Sequence, residues 1–265
     1  MWNGLASGNL TTPAPNTMSS AISLTEVFSS LQGEGMLAGY RQLFIRFPGC
    51  NLNCSYCDTD LVAPPCCRVE STPGSGMFED ISQPVSLESM LAIVHRWCKL
   101  LPDAHHSISI TGGEPLLHAE LLADWLPELN ILLPIHLETN GTLPDALAQL
   151  VEHLDFISMD IKLPGTGQTP PLWQQHRRFI EIGRERDLSV KLVVGGQTSD
   201  DELVTACKLV AEIDDELPCF LQPMTGNDGR IAITAARLLQ LQAIAARRLS
   251  DVRVIPQMHR FLGVA

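Results

Sequence analysis

The chain has 265 residues, 45% hydrophobic and 18% charged, enough to bury one large core or two small ones. Its net charge of −12 and the lack of any basic run make it a poor binder of nucleic acid and point to a small-molecule substrate. No apolar stretch is long enough to span a membrane, and eight cysteines without a signal-peptide pattern point to a reducing compartment, the cytoplasm.

Residues 1–22 are uncharged and rich in Asn, Ser, Thr and Pro, and predict a disordered tail ahead of one domain over 23–265. Ser30-Leu31-Gln32-Gly33-Glu34-Gly35 reads either as a polar recognition loop or as a tight turn before a strand. A strand over 43–47 carries Arg46, which needs an anionic partner: a bound carboxylate or a structural Asp or Glu. The cysteine segment 50–57 follows, and then 61–85, rich in Pro, Gly and Ser and without clear periodicity, predicts an irregular insert. Beyond it, helical spacing over 86–101, 119–132, 145–154, 172–186, 199–213 and 232–249 alternates with strand-like runs at 107–111, 135–138, 156–160, 189–194, 219–222 and 252–256. Ser199 and Glu202 have the spacing of a capping box. Repeated βα units predict an α/β fold, an incomplete (βα)6-type parallel barrel, with ligands at the carboxyl ends of the strands.

The polar and glycine residues obey that rule. Cys50, Gly112-Gly113, Glu138-Thr139-Asn140-Gly141, Asp160-Ile161-Lys162, Gln222-Pro223-Met224 and His259 each follow a predicted strand. Cys50, Cys54 and Cys57 are too close to pair fully as disulfides. They can hold three corners of an iron–sulfur cube and leave its fourth iron open to a small molecule. Zinc is the alternative, with Cys66 or Cys67 completing a tetrahedral set in a non-enzymatic binding protein. Cys98, Cys207 and Cys219 read as core residues. Gly112 and Gly113 allow a close backbone approach to a ligand, and Glu114 offers an acceptor for an ammonium group.

Cys50-x3-Cys54-x2-Cys57, with Tyr56 before the last cysteine, resembles the motif of the radical S-adenosylmethionine (SAM) superfamily, and Gly112-Gly113-Glu114-Pro115 resembles its SAM-holding turn. Six elements together resemble the 7-carboxy-7-deazaguanine synthase family within it. They are Leu31-Gln-Gly-Glu-Gly35, Arg46-Phe-Pro-Gly-Cys50, Cys57-Asp-Thr-Asp60, Thr111-Gly-Gly-Glu-Pro115, Gln222-Pro-Met224 and His259-Arg-Phe-Leu-Gly263. The resemblance implies conversion of 6-carboxy-5,6,7,8-tetrahydropterin to 7-carboxy-7-deazaguanine by radical ring contraction with loss of ammonia, toward 7-deazapurines such as the queuosine precursor. It implies a [4Fe–4S] cluster on Cys50, Cys54 and Cys57, with SAM against Tyr56, Gly113, Glu114, Asp160, Ile161, Lys162 and Gln222. It places Mg²⁺ on Thr59 and the pterin against Leu31, Gln32, Gly33, Arg46, Thr111, His259 and Ala265. It also implies a homodimer and a reductant such as flavodoxin or ferredoxin. The alternative within the superfamily is an activating enzyme acting on a glycyl-radical protein.

Overall fold

Short apolar strands alternate with amphipathic helices, and the chain folds accordingly. The computed structural model of the chain describes residues 21–57, 59, 61–226 and 229–264. In order lie β1 (Ala21–Ile22), β2 (Glu26–Leu31), β3 (Arg41–Phe47), β4 (Cys66–Glu70), β5 (Phe78–Ser82), β6 (Val85–Ser86) and α1 (Leu87–Leu100). Then come β7 (Ser107–Gly112), α2 (Ala119–Asn130), β8 (Ile135–Thr139), α3 (Pro144–Leu150), β9 (Phe156–Asp160), α4 (Pro164–Gly167) and α5 (Trp173–Gly183). The chain closes with β10 (Asp187–Val194), α6 (Asp200–Ala211), β11 (Cys219–Pro223), α7 (Ala235–Ala245), β12 (Val252–Val254) and α8 (Met258–Leu262).

One sheet of ten strands runs β12-β11-β10-β9-β8-β7-β3-β2-β4-β5. From β3 to β12 every pairing is parallel. The crossover helices touch in sequence, α1 to α2, α2 to α3, α3 to α5, α5 to α6 and α6 to α7. They therefore form one layer, as in a barrel and unlike a doubly wound sheet with helices on both faces. Trp97, Trp125, Phe47 and Phe179 are buried in the apolar core.

A set of buried and half-buried polar residues hydrogen-bonds across neighbouring strands. Gln42 Nε2 donates to Ser107 Oγ at 2.7 Å, Ser109 Oγ to Glu138 Oε1 at 2.6 Å, and His136 Nε2 pairs with Ser158 Oγ at 2.8 Å. Burial holds the His136 imidazole down at about 4, so it is neutral.

Three expectations need correction. Ala21–Ile22, assigned to the tail, form β1 and pair antiparallel with Val85–Ser86; residues 1–20 lie outside the described residues. The 61–85 segment is not irregular throughout, because β4 and β5 form an antiparallel hairpin that extends the sheet beside β2. Its strands are too short to show a period, and its Gly- and Pro-rich part is the turn, where Glu70 accepts from Gly74 N at 2.8 Å and Gly76 N at 2.7 Å. The capping box is half formed. Ser199 accepts from Asp201 N, but the Glu202 carboxylate accepts from Gly165 N at 2.9 Å instead of returning to the cap.

Candidate functional site

Where the parallel strands end, the loops enclose a cavity of about 790 Å³, a size suited to small organic ligands. Among the described residues it is lined by five basic side chains (Arg46, Arg68, Lys162, Lys191, Arg260) and four acidic ones (Glu26, Glu34, Glu138, Asp160). The local field is thus near balance in a chain of net charge −12.

Cys50, Cys54 and Cys57 are free thiols on the cavity wall, in the loop that leaves β3. Ser55 anchors that loop to α4, its N–H donating to Gly167 O at 2.9 Å and its hydroxyl to Thr166 O at 3.1 Å. Leu52 N donates to Cys50 Sγ at 3.4 Å and Asn140 Nδ2 at 3.7 Å. Burial raises the pKa of the Cys54 thiol, with Lys162 opposing. Among the described residues no group of three or more His, Cys, Asp and Glu converges on a single ion. Thiolates at three corners of a cube need no such convergence, and this soft donor set fits a cluster. Cys66 and Cys67 lie on β4, away from the cavity wall, and Cys67 is buried, its thiol pushed up to about 12 by burial. The zinc alternative therefore loses its proposed fourth ligand.

Beside the cysteines, Gly113 touches backbone. A Cβ there would overlap Gly49 O, whose carbonyl already accepts from Glu114 N at 2.8 Å. A run of alternating charges crosses the cavity. Lys162 Nζ reaches Asp160 Oδ2 at 2.8 Å, Lys191 Nζ reaches the same oxygen at 3.2 Å, and Lys191 pairs with Glu34. Gln222 and Gln257 each donate to Glu34 Oε1, at 3.1 and 2.9 Å. Burial alone would raise the Glu34 pKa, but Lys191, the Gln257 hydrogen bond and His259 outweigh it and hold it at about 2. Burial opposes charge on Lys162 too, yet Asp160 and Tyr56 prevail and raise its pKa. Lys162 lies 5.5 Å from the Tyr56 ring centre, and burial pushes the Tyr56 phenol up to about 12. Asp160 Oδ1 and Gln222 Oε1 are buried without a described partner, two acceptors placed for a polar ligand.

The 31–35 loop packs onto the C-terminal segment. Met258 N donates to Gly33 O at 2.9 Å, and a Cβ on Gly33 would overlap His259 Nδ1, so only glycine fits. Arg46 is opposite Glu26 in the β2–β3 register, and its Nε donates to Glu26 Oε1 at 2.9 Å.

A model of the radical SAM superfamily matches residues 44–210. The chain is 48% identical to a 7-carboxy-7-deazaguanine synthase of Geobacter sulfurreducens over 241 residues, covering 91% of this chain and 96% of the relative. It is 36% identical to one from Methanothermobacter thermautotrophicus over 262 residues, covering 91% and 97%. The chain belongs to the 7-carboxy-7-deazaguanine synthase family of the radical SAM superfamily. Membership carries a [4Fe–4S] cluster and SAM with it. The crystal structure of QueE from Escherichia coli is similar in fold, with a TM-score of 0.56 at 22% identity, covering 94% of this chain and 100% of that one.

Of the residues expected at the site, Leu31, Gly33, Arg46, the three cysteines, Tyr56, Thr59, Thr111, Gly113, Asp160, Lys162, Gln222 and His259 share the one cavity. Gln32, Glu114 and Ile161 are not on its wall. The Gln32 side chain is buried, donating to Gln42 Oε1 at 3.0 Å and Glu138 Oε1 at 3.1 Å, so it braces the loop from behind. Ile161 is a fully buried core residue. Glu114 is fully buried, and both carboxylate oxygens already accept hydrogen bonds from the chain. Ala265, Asp58 and Asp60 lie outside the described residues. Sequence reasoning missed Lys191. Its signal was a single Lys among the apolar residues Val190 to Val194 of β10.

Proposed function

We propose that the chain converts 6-carboxy-5,6,7,8-tetrahydropterin to 7-carboxy-7-deazaguanine, contracting the ring with loss of ammonia, in 7-deazapurine biosynthesis. The observation that carries this reading is spatial. The three free cysteines, the glycine turn at 112–113, the 31–35 loop and Arg46 open onto one cavity. When bound, the reduced cluster and SAM supply a 5′-deoxyadenosyl radical, and the protein supplies binding, orientation and exclusion of water.

Arg46 is the group for the substrate carboxylate. Glu26 takes its Nε, and among the described residues its two terminal nitrogens donate no hydrogen bond, leaving a planar fork for a carboxylate. Leu31 and Gly33 are proposed to present backbone to the pterin, Thr111 and His259 to line its pocket, and Ala265 to reach it. Asp160, Lys162, Gln222, Tyr56 and Gly113 are proposed to hold SAM. Thr59 is proposed as a Mg²⁺ ligand, one protein hydroxyl beside substrate oxygens, in keeping with an ion that keeps few protein ligands. A homodimer and a flavodoxin- or ferredoxin-type donor complete the proposal. Among the described residues no helix is long and apolar enough to cross a membrane.

The test is anaerobic incubation of reconstituted protein with SAM, dithionite and the carboxylated tetrahydropterin, read by mass spectrometry. The expected product has lost one ammonia. Unchanged pterin in a protein that still cleaves SAM would overturn the substrate assignment.

A further inference from the structure

We propose that Asn140 raises the reduction potential of the cluster through an N–H···S hydrogen bond to Cys50, and that Glu114 positions Asn140 for it. The inference rests on the assignment of the cluster to Cys50, Cys54 and Cys57.

Asn140 stands just past the carboxyl end of β8 and is 5% exposed. Its Nδ2 carries two hydrogens and has two acceptors, Asn51 Oδ1 at 2.8 Å and Cys50 Sγ at 3.7 Å. The network fixes which end of the amide faces the sulfur. Asn140 Oδ1 accepts from Thr142 N at 3.1 Å and from Thr142 Oγ1 at 2.5 Å, and flipping the amide would set donors against donors. Asn51 Nδ2 donates to Thr142 Oγ1 at 2.8 Å. Asn140, Asn51 and Thr142 thus form a closed ring of hydrogen bonds with every donor and acceptor consistent.

Glu114 holds that ring from beneath. Its Oε2 accepts from Asn140 N at 2.8 Å, and its Oε1 from Thr139 Oγ1 at 2.8 Å and Leu116 N at 3.0 Å. With no surface exposed and no place on the cavity wall, the carboxylate is taken up by Leu116 N of its own turn and by the turn that carries Asn140. A hydrogen bond to a ligating thiolate withdraws electron density and favours the more negative, reduced cluster. The glycine turn and the 139–142 turn therefore act together on the electron-accepting centre.

The experiment uses reconstituted full-length protein without SAM, in an EPR-monitored potentiometric titration with iron counted in parallel. Asn140→Asp replaces a donor with a charged acceptor, and the midpoint is expected to move to more negative potential at full iron content. Thr142→Val releases the amide and should give a smaller shift of the same sign. Glu114→Gln should shift the midpoint while the SAM binding isotherm stays near that of the parent. A fully loaded Asn140→Asp protein with an unmoved midpoint overturns the proposal, and if that variant holds no iron, an unmoved midpoint in Thr142→Val does so. Weakened SAM binding with an unmoved midpoint in Glu114→Gln overturns the positioning role. Full iron in Cys50→Ala overturns the cluster assignment itself, a separate failure.

Discussion

Arg46 and Thr59 separate binding from structure at the scale of single residues. Glu26 anchors Arg46, which is the structural reading the sequence left open, and Arg46 also lines the cavity, where the proposal gives it the substrate carboxylate. Arg46→Lys keeps the charge and loses the fork. The expected outcome is a rise in KM for the pterin of tenfold to a hundredfold, about 1–3 kcal/mol for a charge-assisted bond, with substrate-free SAM cleavage unchanged. An unchanged KM would make Arg46 a partner of Glu26 alone. Thr59 lies on the cavity wall two residues past Cys57. Thr59→Ala is expected to flatten the response of turnover to added Mg²⁺ while iron content stays normal. Lower stability with a normal Mg²⁺ response would mean that the hydroxyl caps its own turn. Residue types and spacing exposed the cysteines, Arg46 and the glycine turn in advance. They could not show that Glu114 faces inward, because orientation at a strand end depends on where the neighbouring 139–142 turn packs.

Elements made of long apolar runs were legible within a few residues, and the short ones were not. β9 matches its expected bounds, since alternation over 156–160 is set by burial on one face. β2 was missed because four of its central residues are buried on both faces and two of them are serines, which hides the period. The β4–β5 hairpin was missed because Glu70, its organising residue, reads as an ordinary surface acid. Glu70 is 3% exposed and accepts from Ser29 N at 3.0 Å as well as from the two turn glycines. Glu70→Ala strands three backbone donors. It is expected to cost about 2–4 kcal/mol of unfolding free energy by urea titration, with cluster content retained. A loss below about 0.5 kcal/mol would mean that water replaces the carboxylate and that the hairpin turn holds itself.

Across the molecule, the barrel concentrates both polar chemistry and buried histidines. Burial holds His105, His136 and His176 each down at about 4, with a smaller opposing pull from the Asn140 backbone at His176. The unfolded chain protonates these imidazoles near their ordinary 6.5. Depressed folded pKa values give stability that is present above about 6.5 and lost as pH falls toward about 4. Near pH 5 the slope should approach about 3–4 kcal/mol per pH unit from the three groups together. His176→Phe, at a site packed against Trp173, should remove about a third of that slope in urea titrations across pH. An unchanged slope would assign acid sensitivity to carboxylates instead. The barrel itself was legible because six strand–helix repeats leave few topologies. Its balanced cavity was not, since the net charge of the chain says nothing of where the charges gather.

Both the proposed reaction and the inferred tuning by Asn140 require one cluster with an open iron in this cavity. EPR of the anaerobically reduced protein, with and without SAM, tests that claim most directly. The account predicts a [4Fe–4S]⁺ signal whose g-values change on adding SAM, kept in Cys66→Ala and Cys67→Ala and lost in Cys54→Ala. A signal indifferent to SAM, or one that depends on Cys66 or Cys67 and survives Cys54→Ala, would contradict it.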